Sequence, residues 1–477
     1  MTPVAGLDNL PPDWQRIVVE TIVRFGERAA EAITSSLGRV FEARRGKRIR
    51  RLRAALDLMS KHAYADAIPL FRYGIPGLPD PIDRAGMRLL LAQCCLHIGE
   101  LGDALRESRR ALKTATDEGH QPLRFAALNL SGVAHAQQQR LGPAENDLSQ
   151  ALRIARREND KAGEGAAVGN LGLVYFQRGD LEKAGEHHEK ALAINEEIGD
   201  KRGQAEQLGN LGIVYSERGD LDKAEEHHKK ALALDEEMGN KLGQASQLGN
   251  LGNVCFQRGD LDGAEHHYRR TLGIHEEIGN KAGQAHGLGN LGNLYAQRGD
   301  LDRAEKQYRR ALAIHQEIGS KLGQAQDLGN LGIVYRQRGD LHSAQEHFER
   351  ALGIQQEIGN KLGQANQLGN LGNVDFQRGA LDDAEKRFEE GLAIFQEIGD
   401  KLGQALALGN LGLLAERRGD VGKTRELLNQ AKALYEALGA GGPNVDAVRE
   451  ALERLGAATP AQPQPKGSRK GRPRKKP

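Results

Sequence analysis

Seven asparagines stand 40 residues apart in this chain: Asn170, Asn210, Asn250, Asn290, Asn330, Asn370 and Asn410. Three more, Asn253, Asn293 and Asn373, each follow a member of the row by three residues. A carboxamide offers an acceptor and two donors, so a row of them can pair with the C=O and N–H groups of an extended backbone without demanding a particular side chain. The same group also suits hydrogen bonding between neighbouring helices, so residue type alone leaves both readings open. The adjacent histidines His187-His188, His227-His228 and His266-His267 invite a metal, but neighbours on a helix point apart. His188 and His228 also fill the register held elsewhere by Phe71, Tyr268, Tyr308, Phe348 and Phe388, and so read as flat packing residues. No nucleophile stands beside a base, and no cofactor fingerprint occurs. The expectation is a binding protein, not an enzyme, with neither cofactor nor metal.

The row is positioned by a strict internal repeat. Gly-Asn-Leu-Gly begins at Gly169, Gly209, Gly249, Gly289, Gly329, Gly369 and Gly409. A fixed period of this length is the mark of a repeat architecture, and it accounts for the 60 glycines among 477 residues. Within one unit, Leu208, Leu211, Val214 and Tyr215 recur at helical spacing, as do Leu221, Ala224, His228, Ala231, Leu232 and Leu234 after a Gly-Asp turn. Each repeat is therefore a helical hairpin, with Asp220 capping the second helix, Gly239 ending it and Asn240 capping the next. The same register places a diverged hairpin at Ala144 and Ala151, another at Ala104 and Ala111, and a third around Tyr64, Ala67 and Phe71, for ten in all. Arg-Gly-Asp, present six times and ending at Asp180, Asp220, Asp260, Asp300, Asp340 and Asp420, falls at the hairpin turn and needs no adhesive role.

One face of each first helix carries positions i, i+4, i+7 and i+11, and that face is polar. It reads Glu206-Asn210-Ile213-Glu217, Ser246-Asn250-Asn253-Gln257 and His286-Asn290-Asn293-Gln297 in three successive units. Phe176, Phe256 and Phe376 fall beside it, either to anchor apolar side chains of a partner or to pack in the core. Arg336 and Arg417 are the obvious basic residues on this face. Asp375 stands where other units have tyrosine or cysteine, as at Tyr335 and Cys255. An unpaired carboxylate there costs desolvation, so a soft joint is expected.

The spacing Leu208, Leu211, Gly212, Tyr215, Gly219, Asp220, Ala224, Ala231 resembles the tetratricopeptide repeat, lengthened from 34 to 40 residues. The Leu-Gly-Asn-Leu-Gly core is most similar to the LGN spindle-orientation scaffolds, and more distantly to kinesin light chains. The resemblance implies an all-α solenoid, a right-handed superhelix with first helices lining the groove. It also implies that the matching asparagines contact extended segments of partner proteins. It puts Gly212 at the closest helix packing and Gly209 on the groove, where a ligand backbone can approach, and it gives groove arginines the role of pairing acidic partner residues.

Before the repeats, residues 13 to 45 carry an apolar stripe of Trp14, Val18, Ile22, Phe25, Ala29, Ile33, Leu37 and Phe41, fit to cap the first hairpin or to pair with another chain. The layout expected is a helical extension over 1–45, three diverged hairpins over 46–160, seven repeats over 161–439, a capping helix over 440–456 and a disordered basic tail over 457–477. Residues 39 to 53 hold eight basic residues against Glu42, and residues 466 to 477 hold seven and no acid, so the rest of the chain is net acidic. The end, Lys470-Gly471-Arg472-Pro473-Arg474-Lys475, resembles the AT-hook, which implies minor-groove contact by Lys470, Arg472 and Arg474, although Lys470 replaces that family's arginine. This sets the alternative reading: a nucleic-acid-associated regulator whose solenoid recruits a partner. With three cysteines, Cys94, Cys95 and Cys255, no secretory leader and no run of 18 apolar residues, the expected location is the cytoplasm.

Overall fold

The computed structural model describes residues 27–42, 47–61 and 63–458, and among them the chain is built of α-helices with no strand. It divides into two compact units, residues 1–278 and 279–477. The first holds α1 (Glu27–Glu42) and six hairpins: α2 (Lys47–Ser60) with α3 (Tyr64–Gly74), α4 (Pro81–His97) with α5 (Leu101–Asp117), α6 (Gln121–Gln137) with α7 (Leu141–Arg157), α8 (Lys161–Gln177) with α9 (Leu181–Glu197), α10 (Lys201–Glu217) with α11 (Leu221–Glu237), and α12 (Lys241–Arg258) with α13 (Leu261–Glu277). The second holds α14 (Lys281–Gln297) with α15 (Leu301–Glu317), α16 (Lys321–Gln337) with α17 (Leu341–Glu357), α18 (Lys361–Arg378) with α19 (Leu381–Glu397), α20 (Lys401–Arg418) with α21 (Val421–Leu438), and a final α22 (Pro443–Ala458).

Each hairpin follows from its local sequence. Gly219 takes φ +79°, a left-handed conformation that costs glycine little, and so reverses the chain after α10. Asp220 then accepts a hydrogen bond from the Lys223 amide at 3.3 Å and caps α11. The arginine of the same tripeptide is used too: Arg258 pairs with Asp222 and Glu225 of the preceding hairpin, and Arg338 with Asp302 and Glu305. All three residues of Arg-Gly-Asp thus have structural work. In the third hairpin Gln139 takes positive φ at this turn, and Asn159 does so at the connection that follows it, where other repeats have glycine.

Packing closes the hairpin. Leu211 and Val214 of α10 are buried with Ala224, His228 and Ala231 of α11, and full burial of a side chain of this size stabilises by about 1.5–3 kcal/mol. Where the helices cross most closely, a Cβ on Gly212 would lie 2.6 Å from the His228 ring, and one on Gly332 would lie 2.5 Å from the Phe348 ring. His188 and His228 are buried against these glycines as the aromatic residues are elsewhere.

Within each unit the first helices of successive hairpins draw together, α4 with α6, α6 with α8 and α10 with α12 in one, α16 with α18 and α18 with α20 in the other. The side on which they converge is the inner face, and it carries the asparagines. At the end of the second unit α22 buries Val448, Ala451 and Leu455 against Leu428, Ala431 and Tyr435. A single hairpin cannot bury its own apolar stripe, and such a helix closes the last one.

One expectation is refined and one corrected. Ile33, Leu37 and Val40 of α1 are buried, and α1 is not confined to the first hairpin: it touches α2, whose Arg53 donates to the Val40 carbonyl at 3.3 Å, and it also lies against α4, α6 and α8, the first helices of hairpins two to four. Asp375 is not an unpaired carboxylate, since Arg387 of the same hairpin donates to it at 2.7 Å, so the premise of a soft joint fails. Trp14, Val18, Ile22 and Phe25, and Lys470, Arg472 and Arg474 of the tail, lie outside the described residues.

Candidate functional site

In the first unit the inner face carries Asn170, Asn210 and Asn250, and in the second Asn290, Asn330, Asn370 and Asn410, every one of them half-buried. Asn170 donates to Asn129 at 3.1 Å, and Asn370 makes a 3.4 Å contact with Gln367 on its own helix. Among the described residues, Asn210, Asn250, Asn290, Asn330 and Asn410 make no side-chain hydrogen bond to the protein. They do not tie neighbouring helices together.

The secondary positions behave differently. Asn253 accepts from the Tyr268 hydroxyl at 2.8 Å and Asn293 from Tyr308 at 2.6 Å, so each oxygen is committed to its own hairpin and the NH2 end is left for other partners. Asn373 faces no such hydroxyl, because Phe388 fills that slot. Of the two groove arginines, Arg417 donates to the Phe376 carbonyl at 3.0 Å and lies over the Phe376 ring, 4.8 Å from its centre. Both are therefore spent on each other, and Phe176 and Phe256 are half-buried. Arg336 is half-buried with an Nε that has no hydrogen-bond partner, and burial holds its guanidinium below the ordinary arginine range.

Beneath the asparagines runs a second polar row that residue type did not announce. Gln207 accepts from His188 Nδ1 at 2.8 Å, and Gln247 from His228 at 3.0 Å. Burial lowers the pKa of both imidazoles, which keeps them neutral donors. Gln207 also lies over Gly169, and Gln247 over Gly209, whose Cβ would fall 2.9 Å from its amide nitrogen. Gly209 is thus covered by the next repeat and does not open onto a ligand, contrary to expectation. In the second unit the row changes: Asp327 takes the glutamine register and pairs with the buried His315 at 2.7 Å. Burial pushes the Asp327 carboxyl up to about 6 against the opposing hydrogen bond from His315. The one available signal was recurrence, for Gln207, Gln247, Asp327 and Gln367 share the 40-residue register three positions before an asparagine.

Each unit has a cavity on this face. That of the first is about 330 Å³, lined by Asn129, Asn170, Asn210 and Gln207 together with Leu130 and Val133. That of the second is about 510 Å³ and mostly polar, lined by Asn290, Asn330 and Asn370 together with His315 and Asp327. Neither holds a convergent set of metal ligands. Among the described residues Cys95, Glu100 and Asp103 do bring a thiol and two carboxylates within 4.8 Å. Arg72 pairs with both carboxylates, and burial pushes the thiol up to about 11, so the group is already neutralised and poorly disposed to bind an ion. No helix among the described residues is long and apolar enough to cross a membrane.

The tetratricopeptide repeat family matches the chain over residues 164–237, 243–317, 284–357, 323–397 and 363–437. No curated protein matches it in sequence. Among solved structures it is similar to a signal transduction ATPase with numerous domains from Pyrococcus horikoshii that carries a tetratricopeptide repeat sensor, at 16% identity and TM-score 0.50, over 95% of this chain and 64% of that one. It is also similar to the apo quorum sensor NprR from B. thuringiensis, at 12% identity and TM-score 0.53, over 72% of this chain and 97% of that one. Aspartyl phosphate phosphatase F from Bacillus subtilis matches at 11% identity and TM-score 0.50, over 73% and 93%. At these identities the likeness is one of fold.

Proposed function

We propose that this chain, which belongs to the tetratricopeptide repeat family, is a non-catalytic scaffold whose inner asparagine row holds an extended segment of a partner protein. The observation that carries the reading is the free state of the carboxamides of Asn210, Asn250, Asn290, Asn330 and Asn410. A half-buried amide without a protein partner is satisfied by water, and an extended backbone can replace that water with matched donors and acceptors at little enthalpic loss. The spacing of one asparagine per repeat gives such a segment several attachment points, and affinity then depends little on its side chains.

Selectivity falls to the few positions that break the pattern. Arg336 presents a cation that no carboxylate among the described residues neutralises, so a partner acid seated over α16 gains a charge-assisted hydrogen bond in a partly desolvated site. Within the first unit the half-buried Val133 gives the cavity there an apolar wall.

The test is capture from cells of the source organism by the intact chain beside a variant carrying Asn250→Ala, Asn290→Ala, Asn330→Ala and Asn370→Ala, both first shown to be equally helical. Partners retained by the intact chain alone support the reading and identify the segment. Equal capture by both would remove the row from the binding surface.

A further inference from the structure

The inner face of hairpins two to four is built to a different specification, and a helix already lies on it. The positions that hold Asn170 and Asn210 further on are Leu90 and Leu130 here, 0% and 2% exposed. Along the next column Gln93 is completely buried, Val133 half-buried and Leu173 37% exposed. Burial thus falls away along the face, and the cover at its deep end is α1. Ile33, Leu37 and Val40, at i, i+4 and i+7, form one stripe of α1 and are fully buried. A Cβ on Gly86, which shares a face with Leu90 and Gln93, would lie 3.2 Å from Ser36 Oγ. At the edge Arg39, at i+6, donates to Asp83 of α4 at 2.8 and 3.0 Å.

The seating leaves a whole carboxamide unsatisfied beneath α1. Gln93 is enclosed with neither end of its carboxamide hydrogen-bonded. Ser36 lies on the buried side of α1, and its hydroxyl turns back to Ala32 of its own helix at 3.3 Å, giving nothing to α4. Enclosed polar groups without partners oppose docking, whereas an open face would return Gln93 to water. Apolar complementarity, the Arg39–Asp83 ion pair and a hydrogen bond from Arg53 of α2 to the Val40 carbonyl hold α1 down, and the buried Gln93 carboxamide pushes it off.

We propose that α1 is a displaceable resident of this face, and that the face is a docking site for an amphipathic helix with aliphatic residues at i, i+4 and i+7 and a basic residue at i+6. The proposal stands apart from the asparagine row and does not require that the row bind a peptide. A partner helix of that pattern competes with α1 for the apolar strip and for Asp83, so the helix in place acts as a built-in competitor.

The probe is a fluorescent peptide of residues 27–42, titrated onto the full-length chain and onto full-length Leu37→Asp. The variant, its own α1 released, should bind the peptide at least tenfold more tightly than the intact chain. Absence of binding to the variant, or equal binding to both, would overturn the proposal. Hydrogen exchange on the intact chain supplies the second reading: amides of α1 should exchange together at least tenfold faster than those of α4 and α6, and protection equal to theirs would mark α1 as a permanent part of the core. Should Leu37→Asp disturb α4 to α8, Arg39→Glu takes its place. A peptide carrying Arg39→Glu should then prefer the full-length Asp83→Arg chain over the intact one, and a lack of preference counts against the site. Exchange of α1 between two copies, seen as a doubled mass by light scattering, would be the same displacement and support it.

Discussion

Equivalent helical positions face inward in hairpins two and three and in hairpins five and six of the first unit, yet they hold Leu90, Gln93, Leu130 and Val133 in one stretch and Asn210, Ile213, Asn250 and Asn253 in the other. The backbone template is shared and the chemistry is not. In the first stretch the face is apolar and covered by α1, and in the second it is polar and open. An inner face of this fold therefore has no fixed ligand preference. The two or three side chains that each repeat places there decide whether it receives a helix or an extended strand of backbone.

The contrast can be broken most forcefully at its apolar end. Leu90→Asn or Leu130→Asn imposes the open-face residue under α1, and each should cost about 2–5 kcal/mol, because a packed side chain is lost and an unpaired amide is enclosed. Denaturant unfolding of the full chain reads the loss, and a change below about 1 kcal/mol would mean that α1 packs loosely enough to admit water. Next in size is the hairpin contact common to both stretches. Gly332→Ala forces a Cβ to within 2.5 Å of Phe348 and should destabilise by about 1–3 kcal/mol. Gly289→Ala, where the added Cβ meets nothing within 4 Å, should instead stabilise by about 0.5–1 kcal/mol. Thermal melts of the pair that moved in the same direction would contradict the packing described for the two glycines.

Asp375→Ala removes the nearer of the two carboxylates that pair with Arg387, leaving Glu349 at 3.8 Å, and should lower stability by about 1–2 kcal/mol. An unchanged melt would show that the pair is no better than its absence. A smaller effect separates the floors of the two cavities. The Asp327 carboxyl is held near 6 when folded against an ordinary value of about 3.9, so the folded state binds its proton more tightly. The stability this contributes is present below about pH 4 and is lost as pH rises through about 6. Asp327→Asn should therefore gain on the intact chain across that window, as the difference in Tm between the two will show. Smallest of all, Asn210→Leu and Asn250→Leu should shift stability by about 0.5 kcal/mol or less each, since neither asparagine has a hydrogen bond to lose. A loss as large as that of Leu90→Asn would reassign them to helix packing.

Much of the fold was legible in the sequence. Gly219 and Asp220 spell a turn and a cap, and Leu211, Val214, Ala224 and Ala231 spell two stripes that must meet. The asparagine row could be found from spacing alone. What spacing concealed was how each group is engaged. The sequence does not distinguish Asn253, whose oxygen is taken by Tyr268, from Asn373, which faces a phenylalanine. Gln207 and Asp327 look like surface residues until each packs on the preceding hairpin, against His188 and His315, and Arg417 looks free until the Phe376 ring lies beneath it.

The division has a physical cause. Helices, turns and the closure of each hairpin depend on residues within one 40-residue period, and their chemistry is written locally in every unit. The resting place of α1, the cover on Gly209 and the pairing of Asp375 with Arg387 or of His315 with Asp327 depend on which surfaces come to face each other once the hairpins stack. A stripe such as Ile33, Leu37 and Val40 announces only that it must be buried. That it lies across α4 and α6, reaching α2 on one side and α8 on the other, was decided by the apolar face those helices jointly expose.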